Sequence, residues 1–376
     1  MQTQRLTSLF EELIRIDSLS RYEGAVAARC ARELTELGFH VAFDSSAAMT
    51  GSDTGNVVAR RKGTLPGSVV LAAHMDCVAP CAGVEPVCED GVYRSAGDTV
   101  LGADDKAGIA AIFEGVRCAL ESGRDLPTIF VLLTTCEELS LLGAKYLDED
   151  ALYLDGKPTD APCVVFDADG APGTIILGAP YHYTFTASFT GRAAHAGVEP
   201  ENGVSAIAMA ADAISRMRLG RLDKRTTSNV GLIEGGREVN IVSDSCRISG
   251  ECRSLYKDRV EAAKAQLTES MESAAATAGG SVEIDWTVDY PGVLYDAADP
   301  LVAMLERAAQ SVGLPVGHHI SGGGADANLL SLRGVRPITV SIGMTNFHTP
   351  AEFIKLEDLE NSARFAEAII YEVASC

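Results

Sequence analysis

Short runs of apolar, β-branched residues alternate along this chain with segments of helical periodicity. Residues 69–75, 128–135 and 163–167 are nearly continuous apolar runs, which is typical of strands covered on both faces. Residues 105–120 carry apolar side chains at helical spacing, and residues 139–147 predict a further helix. Alternation of this kind favours an α/β fold with a mostly parallel sheet flanked by helices.

The pattern changes between residues 179 and 289. This part begins with a strand of alternating polarity and continues as helix, two strands, helix and strand. The order β-α-β-β-α-β is that of a split βαβ sandwich of the α+β class. The first pattern then resumes with a helix, a strand at 337–343 and a final helix. We therefore predict a discontinuous α/β domain (1–178 and 290–376) interrupted by an inserted α+β domain (179–289).

The net charge limits the partners of the protein. The 376 residues carry a formal charge of −21 at pH 7, which phosphate backbones and anionic lipid headgroups would repel. We therefore expect neither nucleic acid nor a membrane as a partner. No apolar run approaches the roughly 18 residues of a spanning helix. The ten cysteines are scattered, which favours reduced thiols and a cytoplasmic location.

Potential metal ligands follow each predicted parallel strand. Ligand sites in open parallel sheets lie beyond the carboxyl ends of the strands, so residues at these ends are expected to meet at one edge. Each such residue alone has an ordinary explanation, for example as a helix cap, and the prediction depends on the combination. The set is His74, Asp76, Asp104, Glu137, Glu138, Asp167 and His348.

Two divalent ions that share a bridging carboxylate would account for most of this set. His74 and Asp167 would complete the ligands of one ion, Glu138 and His348 those of the other, and Asp104 would join both. Three carboxylates leave one positive charge on the two ions, which a bridging hydroxide neutralises. Mixed imidazole and carboxylate ligation favours two Zn²⁺ per subunit, with Co²⁺ or Mn²⁺ as substitutes.

The two acids outside this ligand set have catalytic interpretations. Asp76 lies two residues after His74 and is expected to accept the second imidazole N–H, which would select the tautomer. Glu137 stands beside the ligand Glu138 without being needed as a ligand itself. We interpret it as the general base, which passes a proton from water to the leaving nitrogen.

Six motifs in a fixed order resemble a family of zinc-dependent exopeptidases. The family includes peptidase T, glutamate carboxypeptidase and the acetylornithine and succinyl-diaminopimelate deacylases, and the resemblance is nearest to the peptidase T branch. It runs from about residue 8 to the C-terminus. It implies a dizinc catalytic domain and an inserted lid domain through which the protein forms a homodimer. The motifs are LAAHMD, LGADDKAGIAAI, the TT-x-EE step, GRAAHAG, SGGGADAN and NFHTPAEFI.

The resemblance also assigns residues that the sequence alone leaves as ordinary loop or surface positions. His195, in GRAAHAG, matches a lid histidine that reaches the developing oxyanion, often from the partner subunit. Arg253, in ECRS, matches an arginine that clamps a substrate carboxylate. Asn240, Gly323 and Gly324 are found where relatives line the substrate pocket.

Three positions near these motifs have competing interpretations. Relatives usually carry Thr at the position of Cys77 and seldom a cysteine at the position of Cys136. Small buried residues are the favoured interpretation of both, and stray ligands or oxidation-sensitive thiols are the alternative. Asp169 competes with Asp167 as a ligand, and Asp167 is preferred because it directly follows the apolar strand.

The sequence therefore predicts a dinuclear zinc aminopeptidase that acts on short peptides, with tripeptides as the expected substrates. A dizinc deacylase or dipeptidase that acts on N-acyl amino acids or dipeptides stays open, because residues outside the metal ligands decide between them. A metal-binding module without catalysis is disfavoured by Glu137, an acid that such a site does not need. The chain lacks the GxGxxG arrangement of nucleotide-binding oxidoreductases and the GxSxG of serine hydrolases.

Overall fold

The structure is a computed structural model that describes residues 1–374. The chain divides into two compact units, each with its own core. Unit 1 comprises Met1–Leu177, Tyr295–Ser321 and the part of the chain that begins at Ala325. Unit 2 comprises Gly178–Leu294 and Gly322–Gly324. The predicted roles of a catalytic domain (1–178 and 290–376) and an inserted lid domain (179–289) stay predictions.

Most of the longer helices place apolar side chains on one face, which packs into the core of its unit. The helix of residues 103–121 differs, because all its residues from Ala103 to Val116 are buried. In the described residues the helices are α1 (Thr3–Ile14), α2 (Gly24–Glu36), α3 (Ala47–Thr50), α4 (Ala103–Glu121), α5 (Leu142–Lys145), α6 (Ala206–Arg216), α7 (Lys257–Ala278), α8 (Pro300–Ser311), α9 (Ala327–Leu330) and α10 (Leu356–Val373). No helix among residues 1–374 combines the length and the apolar character needed to span a bilayer.

The strands range from fully buried to mostly exposed. They are β1 (His40–Phe43), β2 (Val57–Arg61), β3 (Ser68–His74), β4 (Pro86–Glu89), β5 (Val92–Ser95), β6 (Thr128–Thr134), β7 (Tyr153–Leu154), β8 (Lys157–Pro158), β9 (Pro162–Ala168), β10 (Thr174–Ala179), β11 (Tyr181–Thr190), β12 (Gly220–Asp223), β13 (Thr226–Gly235), β14 (Ser245–Ser254), β15 (Ser281–Tyr290), β16 (Val293–Leu294), β17 (Gly317–Ile320), β18 (Arg336–Ser341) and β19 (Phe353–Lys355).

The main sheet of unit 1 has a parallel centre. Its strands follow the order β1-β2-β6-β3-β9-β18-β10. The four central strands β6, β3, β9 and β18 run parallel to one another, whereas β2 and β10 pair antiparallel with β6 and β18. Every residue of β3 and β6 is buried, which explains why both strands are continuous apolar runs in the sequence. The helices α4 and α10 pack against this sheet, and α1 packs against α4. The predicted α/β fold with a mostly parallel sheet is confirmed.

Three parallel strands end at the same edge of this sheet. His74 of β3 is in register with Thr134 of β6, and the amide of Met75 donates to the Thr134 carbonyl at 2.9 Å. The third strand, β9, runs parallel to β3 and ends at Ala168. Side chains that follow these strands therefore lie at one edge of unit 1.

Unit 2 contains a five-stranded antiparallel sheet. Its order is β12-β13-β14-β11-β15, and α6 and α7 pack against each other and against the sheet. Its core contains Phe185, Phe189, Ile248 and Met271. The strands β15, β11, β14 and β13 follow the split βαβ order that the sequence predicts. The α+β class is confirmed, and β12 is an additional edge strand that the sequence analysis did not predict.

One local prediction is wrong. The helix predicted over 139–147 is reduced to α5, because Ser140 and Leu141 adopt left-handed φ values of 65° and 61°. At the start of α4, Asp104 and Asp105 have non-helical dihedrals and a cis peptide bond between them.

We predict that Gly115→Ala destabilises unit 1. A Cβ at Gly115 in α4 would lie 2.6 Å from Cβ of Ala366 and 2.8 Å from the carbonyl oxygen of Ala363, both in α10. The two helices would have to separate, at a cost of about 1–3 kcal/mol, although alanine favours a helix. Thermal unfolding measures this effect. The control is Gly97→Ala, where a Cβ meets no atom within 4 Å; equal melting temperatures for the two variants would contradict the prediction.

Candidate metal centre

The carboxylate of Asp104 lies between the imidazoles of His74 and His348. Its Oδ1 is 2.9 Å from Nε2 of His74, and its Oδ2 is 3.1 Å from Nε2 of His348. Nε2 of His348 is also 2.8 Å from Oε1 of Glu138. A carboxylate that presents one oxygen to each of two imidazoles has the arrangement expected of a bridging ligand.

Asp167 at the end of β9 completes the cluster on the side of His74. Its Oδ1 is 3.7 Å from Nε2 of His74. Two groups of possible ligand atoms lie within 4.8 Å: His74, Asp104 and Glu138 form one, and His74, Asp105 and Asp167 form the other. The structure therefore brings all five predicted ligands together at one edge of the sheet.

Negative charge is in excess at this edge. Burial opposes ionisation of Asp104, but hydrogen bonds with His348 and His74 outweigh it and lower the pKa of its carboxyl. Hydrogen bonds with Asp104 and Glu138 raise the pKa of His348 to about 10. Burial, reinforced by repulsion from neighbouring carboxylates, raises the pKa of Asp167 well above its ordinary value. Divalent cations would relieve this repulsion, and two imidazoles with several carboxylates suit such ions.

Asp76 connects His74 to the turn that carries the two glutamates. Nδ1 of His74 is 3.0 Å from the main-chain carbonyl oxygen of Asp76 and 3.4 Å from its Oδ1. The carboxylate of Asp76 accepts the amides of Glu137 at 2.9 Å and Glu138 at 3.2 Å. It also accepts the hydroxyl of Ser20 at 2.7 Å. The main-chain carbonyl thus makes the shorter contact with the imidazole, whereas the carboxylate binds the glutamate turn.

Glu137 lies beside the predicted ligand Glu138 and is buried. Burial raises the pKa of its carboxyl well above the ordinary value, and the charge of Asp167 adds to this effect. A raised pKa strengthens a carboxylate as a proton acceptor and brings it closer to the range in which it can also return the proton.

Three buried acids at this edge were not identified as site residues in the sequence analysis. Asp105 accepts the amide of His74, and its Oδ1 has no hydrogen-bond partner in the described structure. Asp326 accepts the hydroxyl of Thr134, and burial raises its pKa to about 6. Glu352 accepts the amides of Gly102 and Asp104 at 2.8 and 3.0 Å. All three acids lie within the motifs quoted above, and their membership of these motifs is the sequence signal that could have identified them as site residues.

The structure also distinguishes between the competing interpretations of Asp169, Cys77 and Cys136. Asp169 is exposed, whereas the side chain of Asp167 faces the cluster. The thiol of Cys77 lies 3.6 Å from the carbonyl oxygen of Asp104, and the thiol of Cys136 lies 3.3 Å from Oε1 of Glu23. Burial raises the pKa of both thiols to about 12, which makes them poor thiolate ligands.

In unit 2, Arg253 belongs to a partly buried polar cluster. Its Nε and Nη2 donate to the two oxygens of Glu251 at 3.2 and 2.9 Å. Its Nη1 lies 3.4 Å from the hydroxyl of Tyr290, which accepts the amide of Gly324 at 3.1 Å. Gly323 precedes this contact. Glu251 uses only one edge of the guanidinium, so the edge formed by Nη1 and Nη2 retains donors for a carboxylate.

His195 and Asn240 lie together in a different part of unit 2. The amide of Ala196 donates to the Asn240 carbonyl at 2.9 Å, and both predicted site residues are exposed. His195 follows Thr190, the last residue of β11, whereas Arg253 is in register with His182 near the start of that strand. Eight residues of strand correspond to about 26 Å. The structure therefore places His195 and Arg253 at opposite ends of the unit 2 sheet.

Solved structures resemble this chain over its whole length. Aminopeptidase PepT from Bacillus cereus ATCC 10987 is 38% identical with a TM-score of 0.91, and the match covers 100% of this chain and 99% of the other. A tripeptidase from Staphylococcus aureus subsp. aureus Mu50 is 33% identical with a TM-score of 0.93, with complete coverage of both chains. Uncharacterized protein YqjE of Bacillus subtilis (strain 168) is 39% identical over 372 residues, 99% of each chain.

The sequence model of peptidase family M20/M25/M40 matches residues 70–372 of this chain. This range contains every predicted metal ligand and the turn with Glu137 and Glu138. The predicted resemblance to zinc-dependent exopeptidases of the peptidase T type is thereby confirmed at the level of the family. The chain is a hydrolase and belongs to peptidase family M20/M25/M40.

Proposed function

We propose that the protein is a dinuclear metallopeptidase that removes the N-terminal residue of short peptides, with tripeptides as the expected substrates and zinc as the expected metal. The observation that carries this proposal is the position of the Asp104 carboxylate between His74 and His348. The similarity to an aminopeptidase and a tripeptidase over the whole chain supports the choice of substrate.

In this proposal His74 and Asp167 would hold one ion, Glu138 and His348 would hold the other, and Asp104 would contribute to both. When bound, two divalent ions would supply Lewis-acid chemistry, which would acidify the attacking water and polarise the carbonyl of the scissile peptide bond. The main-chain carbonyl of Asp76 orients His74 by accepting its Nδ1–H, which leaves Nε2 for ligation.

Glu137 performs the proton transfers. Its carboxylate accepts a proton from the attacking water and delivers it to the nitrogen of the leaving peptide. The amide hydrogen bond from Glu137 to Asp76 holds its main chain at the rim of the cluster. A buried carboxylate with a raised pKa suits both halves of this transfer.

Arg253 binds a carboxylate of the substrate through the guanidinium edge that Glu251 does not use. Gly324 lets the main chain pass close to the ring of Tyr290, because a Cβ at this position would lie 2.4 Å from that ring. We propose that Gly323 and Gly324 line the substrate pocket. We propose that Asn240 lines the substrate pocket beside His195, because its main-chain carbonyl accepts the amide of Ala196, the residue after His195.

We propose that the protein forms a homodimer through unit 2, and that His195 stabilises the oxyanion of a substrate bound in the partner subunit. The separation of His195 from Arg253 along β11 supports action across subunits, because a single unit 2 cannot bring both residues to the same short peptide. Exposed apolar residues of unit 2 also occur near the His195 end of the sheet, as expected of a surface that a second copy covers. They are Val198, Ile207, Ile233, Val239 and Ile241.

We also propose a cytoplasmic location. The nine cysteines in the described part of the chain are free, and eight of them are buried. Reduced thiols suit the cytoplasm, where disulfides are rare.

Removal of metal should abolish peptide hydrolysis, and Zn²⁺ or Co²⁺ should restore it. The assay is a panel of di-, tri- and tetrapeptides beside N-acetyl amino acids, with released amino acids quantified. We expect tripeptides with a free N-terminus to be cleaved fastest. Faster turnover of N-acetyl amino acids would indicate a deacylase, and full activity in metal-free protein would contradict the mechanism. Mock-dialysed protein is the control.

Glu137→Gln should retain the bound metal and lose about 10²–10⁴-fold in kcat, because the amide cannot accept the proton. Metal content is measured by atomic absorption beside the kinetics. Glu138→Gln is the contrasting variant, and it should lose metal as well as activity. A fall in metal content in Glu137→Gln, with activity restored by excess zinc, would show that Glu137 is a ligand instead.

A mixture of inactive His195→Ala and inactive Glu137→Gln subunits should recover about a quarter of the wild-type activity. About half of randomly paired dimers are mixed, and each mixed dimer has one complete site. Subunits are exchanged by mild dissociation and reassociation before the assay. The control mixes Glu137→Gln with the double variant His195→Ala/Glu137→Gln, which has no complete site in any pairing. Activity no greater than this control would place His195 within its own subunit's site.

A further inference from the structure

Four consecutive main-chain amides at the end of β6 each donate to a buried side chain. The donors are the amides of residues 135–138, the turn that carries both glutamates of the site. Thr135 donates to Oδ1 of Asn56 at 2.9 Å, and Cys136 donates to Oε1 of Glu23 at 2.9 Å. The next two amides donate to the carboxylate of Asp76.

The three acceptors come from separate segments and are fully buried. Glu23 precedes α2, Asn56 precedes β2, and Asp76 follows β3. The turn contains a left-handed residue, since Cys136 has a φ of 51°, which is unfavourable for a non-glycine residue. Side chains from three segments therefore hold a backbone conformation that the local sequence alone does not favour.

The other two acceptors, Asn56 and Glu23, are each held in one orientation by further hydrogen bonds. Nδ2 of Asn56 donates to Oδ2 of Asp44 at 2.7 Å and to the carbonyl oxygen of Gly143 at 3.0 Å, which directs Oδ1 towards Thr135. Glu23 accepts the amide of Arg21 at 3.0 Å and the hydroxyl of Ser52. Their hydrogen bonds leave the two acceptor oxygens little freedom to follow a moving turn.

We propose that Glu23 and Asn56 are positioning residues, which set the placement of Glu137 and Glu138 by holding the amides of residues 135 and 136. Neither residue is a predicted ligand or acid-base group. The proposal rests on the proposed function, in which Glu137 transfers protons and Glu138 binds metal. A small displacement of such groups lowers the rate of reaction more than it weakens substrate binding.

The test compares Glu23→Ala with Glu23→Gln. Glu23→Ala leaves the Cys136 amide without its acceptor, and we expect kcat to fall by about tenfold or more with KM within about twofold. Glu23→Gln keeps an oxygen for that amide, and the Ser52 hydroxyl can reorient to accept from the new NH₂ group, so kcat should return to within about threefold of wild type. The visible spectrum of the Co²⁺-loaded protein should change in Glu23→Ala only, because Glu138 moves.

Glu114→Ala is the matched control for loss of a buried acid. Glu114 accepts the amide of Gln2 and two donors of Arg5, and it lies ten residues along α4 from Asp104, about 15 Å. We expect this variant to unfold at a lower temperature with an unchanged kcat and cobalt spectrum. An equal fall in kcat in Glu114→Ala and Glu23→Ala would show that Glu23 contributes only to stability and would contradict the positioning role.

Hydrogen exchange of the metal-free protein separates this proposal from the proposed function. A peptide that covers residues 135–138 should exchange faster in Glu23→Ala than in wild type and Glu114→Ala. Unchanged exchange together with an unchanged cobalt spectrum would overturn the positioning role. Asn56→Ala, which frees the neighbouring Thr135 amide, provides the same comparison if Glu23→Ala does not fold. A wild-type protein that hydrolyses no peptide contradicts the proposed function, and the exchange comparison still decides whether Glu23 holds the turn.

Discussion

The mutual repulsion of buried carboxylates at one edge of the unit 1 sheet is the interaction that organises this protein. Asp104, Asp105, Asp167, Glu137 and Asp326 all lie at this edge with little exposure to water. Burial of like charges is unfavourable unless imidazoles, cations or protons compensate it. His74 and His348 provide part of the compensation through Asp104. The remaining excess is the negative charge that the two proposed divalent ions would balance.

The fold creates this edge by aligning strand ends and then restraining the chain beyond them. Parallel pairing of β3 with β6 and β9 brings residues more than ninety positions apart to one edge. After the strands end, main-chain amides donate to buried side chains and no longer to a neighbouring strand. The carboxylate of Asp76, for example, accepts the amides of Glu137 and Glu138. Main-chain amides that would otherwise be buried without partners thereby help to place the side chains of the proposed site.

Unit 2 separates two functions that the proposed reaction needs. The strand β11 has the Arg253 cluster near its first residues and the His195 loop after its last residue. A strand of this length is too rigid to bring the two ends together. In the proposed homodimer, a second copy of the chain would provide His195 for the substrate that Arg253 binds, and the exposed apolar residues beside His195 agree with such a contact.

Most of the architecture was predictable from local patterns, because strands buried on both faces and helices buried on one face each leave a periodic signal. The predicted ligands were identifiable because strand ends of a parallel sheet meet, so their order along the chain implies their proximity. Asp105, Asp326 and Glu352 were not singled out, since an acid in a motif does not reveal whether its carboxylate faces the cluster. The sequence by itself determined the two unit types and the chemistry of the ligands. Only the tertiary structure decided that Glu23 and Asn56 meet the glutamate turn, and that His195 and Arg253 lie far apart, because these facts depend on register and packing between segments remote in the chain.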